Sequence, residues 1–169
     1  MNIAVVVERH AESLSGVEYR WDADTEILTA NVGADSGPAA GGASGSLGLE
    51  GNDGSWVILD VAGGRIQGVE VAVWPDVRQQ RSLQPPLLVE DARVSLPDAN
   101  EQGAIASLEL DTSLVAESDP AKKTIHFRLG KPRRVTTVRI AQDLLIDVDS
   151  RSRIAGVWLL NVPPCPEIA

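Results

Sequence analysis

Cysteine and histidine are almost missing from this sequence: Cys165 is the single thiol, and His10 and His126 are the only imidazoles. One thiol cannot form an internal disulfide framework, and one Cys with two His falls short of the four ligands of a structural zinc site. Long apolar runs are missing as well. The opening Ile3-Ala4-Val5-Val6-Val7 stops at Glu8-Arg9, too short for a signal-peptide core or a bilayer span. These absences lead to the expectation of a cytoplasmic protein with no membrane partner. No stretch keeps an i, i+3, i+4, i+7 apolar pattern for three turns, which excludes a helical bundle.

What the sequence has instead is short runs of Val, Ile, Leu and Thr, separated by 15 glycines and 10 prolines. That is a strand pattern. Strands are expected at 3–7, 17–21, 27–32, 55–60, 65–74, 87–89, 104–110, 124–129, 135–140, 144–148 and 153–162. Short helices are conceivable only at 8–14 and 76–83. At 169 residues the chain is long enough for one domain with a core of its own.

The strongest feature is internal. Asp22-Ala23-Asp24-Thr25-Glu26-Ile27-Leu28-Thr29-Ala30-Asn31-Val32-Gly33 aligns with Asp119 to Gly130 at a constant offset of 97. Val57-Ile58-Leu59-Asp60-Val61 aligns with Leu144-Leu145-Ile146-Asp147-Val148 at offset 87, and Arg65-Ile66-Gln67-Gly68-Val69 with Arg153-Ile154-Ala155-Gly156-Val157 at offset 88. The drop from 97 to 87 gives the first copy ten extra residues, assigned to a glycine-rich loop at 33–54 that holds eight of the glycines. The expected fold is therefore all-β, with few or no helices. Two tandem homologous units, residues 1–80 and 106–169 joined by a linker at 81–105, pack as one pseudo-two-fold sandwich or barrel-like domain.

An Asp turn, an apolar strand, a strand ending in Asp, a tight turn and then Arg-Ile-x-Gly-Val resembles the bacterial domain-of-unknown-function family numbered 2283. Here Ser118-Asp119-Pro120, Thr124-Ile125-His126-Phe127-Arg128-Leu129, Leu145-Ile146-Asp147-Val148-Asp149 and Arg153-Ile154-Ala155-Gly156-Val157 carry the pattern. The acidic residue that follows Gly-Val in that family is Glu70 in the first copy and is replaced by Trp158 in the second. The resemblance implies a small β-rich unit and brings no activity with it.

Motifs of known chemistry are few. Asp22/Asp24 and Asp147/Asp149 are carboxylate pairs of the kind a hard cation takes, but the EF-hand spacing is absent, they sit at strand-turn junctions where Asp bends the backbone, and no metal or cofactor is expected. Leu110-Asp111-Thr112-Ser113 has the start of an aspartic-protease turn without its glycine or a counterpart in the other copy. No nucleophile elbow, phosphate-binding loop or zinc-protease helix occurs. Glycines at 42, 45, 48, 51 and 54 have collagen spacing without the prolines, which favours a flexible loop. His10 and His126 stand alone, and Cys165 lies in a Pro163-Pro164-Cys165-Pro166 tail.

Charge is unevenly distributed. Residues 1–60 carry 2 basic and 10 acidic groups, whereas 122–139 carry seven cations and no acid, against a net charge of -9. If 124–129 and 135–140 form a hairpin, Ile125, Phe127, Leu129, Val138 and Ile140 face the core. His126, Arg128, Thr137 and Arg139 then face out, with Lys131, Arg133 and Arg134 at the tip. The binding residues to examine are accordingly Arg128, Arg133, Arg134, Arg139 and Trp158. The last of these belongs to a strand apolar on both faces, which must be covered by the linker 87–89 or by a second subunit.

The leading expectation is a non-enzymatic structural or protein-interaction role, as a homodimer or with another protein. One alternative is a small-ligand or metal-binding enzyme that uses a cleft between the copies, with Asp60, Asp147 and Asp149 as the first carboxylates. The other is nucleic-acid binding through the basic hairpin 122–139, which the acidic net charge disfavours.

Overall fold

The computed structural model describes residues 5–9, 14–32, 45–62, 64–87, 89–95, 108–109 and 114–165. The fold is all-β, as expected: one hydrogen-bonded sheet curled into a half barrel. The strands are β1 (Val6–Arg9), β2 (Val17–Trp21), β3 (Leu28–Val32), β4 (Gly45–Glu50), β5 (Trp56–Ala62), β6 (Arg65–Val73) and β7 (Val77–Gln79). They continue with β8 (Glu90–Ser95), β9 (Leu108–Glu109), β10 (Leu114–Asp119), β11 (Thr124–Leu129), β12 (Val135–Ala141), β13 (Leu144–Asp149) and β14 (Ile154–Leu159). Neither conceived helix forms among the described residues: 6–9 and 77–79 are strands, and one 3-10 turn, Pro120–Lys122, is the only helical element there.

Two antiparallel groups organise the sheet. The first runs β2-β3-β6-β5-β4 and the second β10-β11-β14-β13-β12. Their registers agree with the sequence offsets. Leu28, Thr29, Ala30 and Asn31 pair with Val71, Glu70, Val69 and Gly68, while Ile125, His126, Phe127 and Arg128 pair with Leu159, Trp158, Val157 and Gly156. A bulge follows Asp60 in β5 and another follows Asp147 in β13, at offset 87.

The glycine-rich loop needs correcting: its second part is strand β4, paired with β5 as β12 is with β13. Leu47 faces Leu59 where Val138 faces Ile146, so the offset falls from 97 to 91 before β4, six residues, and to 87 after it, four more. The latter four belong to the Gly51–Ser55 turn, and residues 33–44 lie outside the described residues.

The expected hairpin of 124–129 with 135–140 does not form. β11 pairs with β10 and β14, whereas β12 pairs with β13 and β8, so the connector 130–134 arches over β14 and β13. Arg133 holds this arch. Its Nη1 donates to Leu129 O at 2.6 Å, its Nη2 to Ile154 O at 3.3 Å and its Nε to Asp149 Oδ2 at 3.0 Å.

Both groups contribute one face to a single core. Leu28, Ala30, Val57, Leu59, Val69 and Val71 meet Ile125, Phe127, Leu144, Ile146, Val157 and Leu159 there. Full burial of each larger side chain stabilises the fold by about 1.5–3 kcal/mol. The opposite faces differ. β5 alternates between buried and partly exposed positions, as a sheet with one wet face does, whereas β13 and β14 are buried at every position. The cover on that second face is Leu83, which packs on Leu145, Trp158 and Leu160. The linker does cover the doubly apolar strand, through Leu83; of the expected 87–89, Leu87 is 94% exposed and Leu88 lies outside the described residues.

Candidate ligand cleft between the two halves

The two Asp turns build the site. Asp22 Oδ1 accepts from the backbone N–H of Asp24 at 2.9 Å, and Asp119 Oδ1 from that of Ala121 at 3.2 Å. Each turn ends on a residue in the left-handed region, Glu26 with φ 60° and Lys123 with φ 55°. Glycine or asparagine is the usual occupant of such a position, and a long side chain there is strained. The carbonyls of both residues are hydrogen-bonded by different donors: the side-chain Trp74 Nε1 donates to Glu26 O at 2.7 Å and the backbone Val162 N to Lys123 O at 2.9 Å.

Between the turns lies a cleft of about 530 Å³. Trp21 and Trp74 line it and stack with centroids 5.7 Å apart and planes 12° from parallel. Trp74 also touches Phe127 of the second half, with centroids 5.8 Å apart. Trp21 Nε1 donates to Pro163 O at 2.8 Å, fixing the Pro163-Pro164-Cys165 segment as one wall. Several lining residues are separated by the sequence offsets: Glu26 and Lys123, and Trp21 and Ser118, by 97, and Trp74 and Val162, and Val77 and Cys165, by 88. Tyr19 braces the two halves beside it, its hydroxyl donating to Leu160 O at 2.6 Å; burial pushes that hydroxyl well above the ordinary tyrosine range.

The residues singled out in the sequence lie elsewhere. Trp158 is buried beneath Leu83 and donates from Nε1 to Asp147 Oδ1 at 3.1 Å. Arg128 Nε donates to Gly130 O and Arg139 Nη1 to Gln142 O, while Arg134 is exposed and Arg133 serves the arch. His126 does not stand alone: it stacks on Trp158 at 4.0 Å and its Nε2 is 2.8 Å from Asp147 Oδ2. Thr137 Oγ1 donates to the other oxygen of Asp147 at 2.6 Å, so this buried carboxylate gathers β11, β12 and β14 around β13.

Glycine makes this contact possible. His126 and Asp147 flank β14 on either side, and a Cβ on Gly156 between them would come within 2.6 Å of Asp147 Oδ2 and 3.1 Å of His126 Nε2. The group borders a small recess of about 130 Å³ with Arg128, Lys131 and Arg133. Asp149 is buried too. Burial alone would raise its carboxyl, but the N–H groups of Arg153 and Arg151 and the guanidinium groups of Arg133 and Arg153 hold it below the usual range.

In the first half, Asp60 stands at the place of Asp147 with Thr29 for His126, Ser46 for Thr137 and Glu70 for Trp158. Its partly exposed carboxyl is pushed up by burial. Among the described residues, no three His, Cys, Asp or Glu side chains converge as a metal site. Asp111 and His10 lie outside the described residues.

Sequence reasoning missed Trp21, Trp74, Glu26 and Lys123. The signal available was the offset itself, which aligns Glu26 with Lys123 at 97 residues. Comparison with protein-family models and with curated proteins finds no match for this chain. Among the described residues, no helix is long and apolar enough to cross a membrane.

Proposed function

We propose that this chain is a small-ligand-binding β protein, made of two diverged copies of one unit related by an approximate two-fold, each resembling the family numbered 2283. Its ligand site is the cleft where the two Asp turns meet. One observation carries this reading: residues from both Asp turns, Glu26 and Lys123 among them, line one aromatic cleft of about 530 Å³. That volume falls within the ~300–1,000 Å³ of small-molecule sites, which are mostly apolar with a few placed polar groups. The carboxylates expected first, Asp60, Asp147 and Asp149, are absent from the lining, so binding rather than metal-assisted turnover is the reading supported.

The test is calorimetric titration of the protein and of Trp74→Ala with small aromatic compounds. Binding to the native chain that is lost in Trp74→Ala is expected; equal binding to both sinks the reading.

An interaction role keeps one observation in its favour. Trp56 and Val73 are cross-strand neighbours, and both are exposed, at 39% and 46%. Sedimentation of the native chain against Trp56→Lys tests it: an assembly present in the first and lost in the second supports an interface there. Trp158, for which cover by the linker or by a second subunit was expected, is buried under Leu83 of the linker and gives such an interface no support.

A further inference from the structure

We infer that the occupant of the cleft is an aromatic zwitterion: a flat ring bearing one anionic and one cationic group, of about the size of an aromatic amino acid. The inference rests on the ligand-binding reading above and adds the chemistry of the ligand.

Three features of the lining converge. Both indole N–H groups are already used, by Pro163 O and Glu26 O, so Trp21 and Trp74 offer a ligand only ring surface. Ring surface of that kind favours a flat partner, in offset-stacked or edge-to-face contact. Glu26 and Lys123 then supply opposite charges from the two turns. Both are exposed, and among the described residues neither side chain enters an ion pair. A carboxylate and an ammonium at one cleft complement a molecule carrying an ammonium and a carboxylate, and a singly charged molecule satisfies only one of them.

The third feature is the backbone. At two equivalent positions, both in the left-handed region, the chain keeps long charged residues where glycine or asparagine would relieve strain. Ser152 and Asn161 share this conformation, but of the four residues Glu26 and Lys123 are the two that line the cleft.

Four probes sharing one ring separate the possibilities: indole, indole-3-acetate, tryptamine and tryptophan, titrated calorimetrically into the native chain. Tryptophan should bind tightest, with each singly charged probe weaker by up to about fivefold, as expected for partly exposed charge pairs, and indole weakest. Lys123→Gln should remove the advantage of indole-3-acetate over indole and leave that of tryptamine, and Glu26→Gln should do the reverse. Thermal melts of both variants check that these exposed substitutions leave the fold intact. If indole binds as tightly as tryptophan, the zwitterion inference falls while the cleft stands. If no probe binds at millimolar concentration, both fall.

Discussion

Glu26 and Lys123 are 97 residues apart, share a left-handed backbone conformation with φ of 60° and 55°, and line the same cleft with opposite charges. Their carbonyls are both hydrogen-bonded, by the indole of Trp74 and the backbone N–H of Val162. The two turns thus agree in backbone conformation at these residues and differ in side-chain charge, which is the arrangement proposed to recognise a molecule with two unlike ends.

A trade-off between stability and binding follows. Replacing Lys123 with Gly removes the left-handed strain, worth about 1–2 kcal/mol, at the expense of a more flexible unfolded chain. Lys123→Gly is expected to gain about 0.5–1 kcal/mol in chemical denaturation while weakening the binding of anionic aromatic probes. A loss of stability would show that the side chain is held by contacts that outweigh its strain.

The two equivalent glycines differ in how closely they are approached. A Cβ on Gly156 would stand 2.6 Å from Asp147 Oδ2 and 2.7 Å from Phe127 O, whereas one on Gly68 would meet its nearest atoms at 3.0 Å. Gly156→Ala is expected to destabilise by about 2–3 kcal/mol and Gly68→Ala by about 1 or less, measured by urea unfolding. Equal effects would mean that the His126–Asp147 contact yields without cost.

Asp60 and Asp149 should respond to acid in opposite senses. The folded state raises the carboxyl of Asp60, so it binds a proton more tightly than the unfolded chain does. Its ionised form therefore costs stability above the ordinary carboxylate range near pH 4 and none well below it. Asp60→Asn should raise Tm at pH 7, with the difference closing as the pH falls below about 4. Asp149 is held low, so its contribution is present above the unfolded value and fades as pH falls through the folded one. Asp149→Asn should lower Tm at pH 7 and less so in acid. Parallel pH profiles for the two variants would contradict this assignment.

Leu83 alone among the described linker side chains is buried against Trp158 and Leu145. Leu83→Ala is expected to cost about 2–3 kcal/mol and to shift the Trp158 fluorescence to the red as water reaches the indole. Leu87→Ala should leave both unchanged, since Leu87 is 94% exposed.

The fold class and several inward faces were legible because period-2 runs such as Ile125-His126-Phe127 declare both a strand and its buried side, whereas Leu144–Val148 declares a strand buried on both faces. Strand β4 escaped because Gly45 and Gly48 weaken a strand pattern, and β7 because Val77–Gln79 is too short to show alternation. Strand β8 is broken up by Glu90, Asp91 and Arg93, and β10 was overlooked although its counterpart β2 was read. The short polar connector 130–134 suggested a hairpin; nothing local says that Arg133 reaches Asp149 and Ile154 to hold an arch. The cleft is less legible still, since its lining comes from four separated stretches, and the repeat pointed only to the pairing of Glu26 with Lys123. The His126–Asp147 contact spans 21 residues and two strand boundaries, and its only local trace is the Gly of Gly-Val.

The most direct test of a ligand cleft between the halves is a backbone and indole amide NMR titration with tryptophan. The shifts should concentrate at the indole N–H groups of Trp21 and Trp74 and at the amides of Glu26, Lys123, Val162 and Cys165, drawing on both halves at once. Shifts confined to one half, or centred on Arg128, Lys131 and Arg133, would contradict the account.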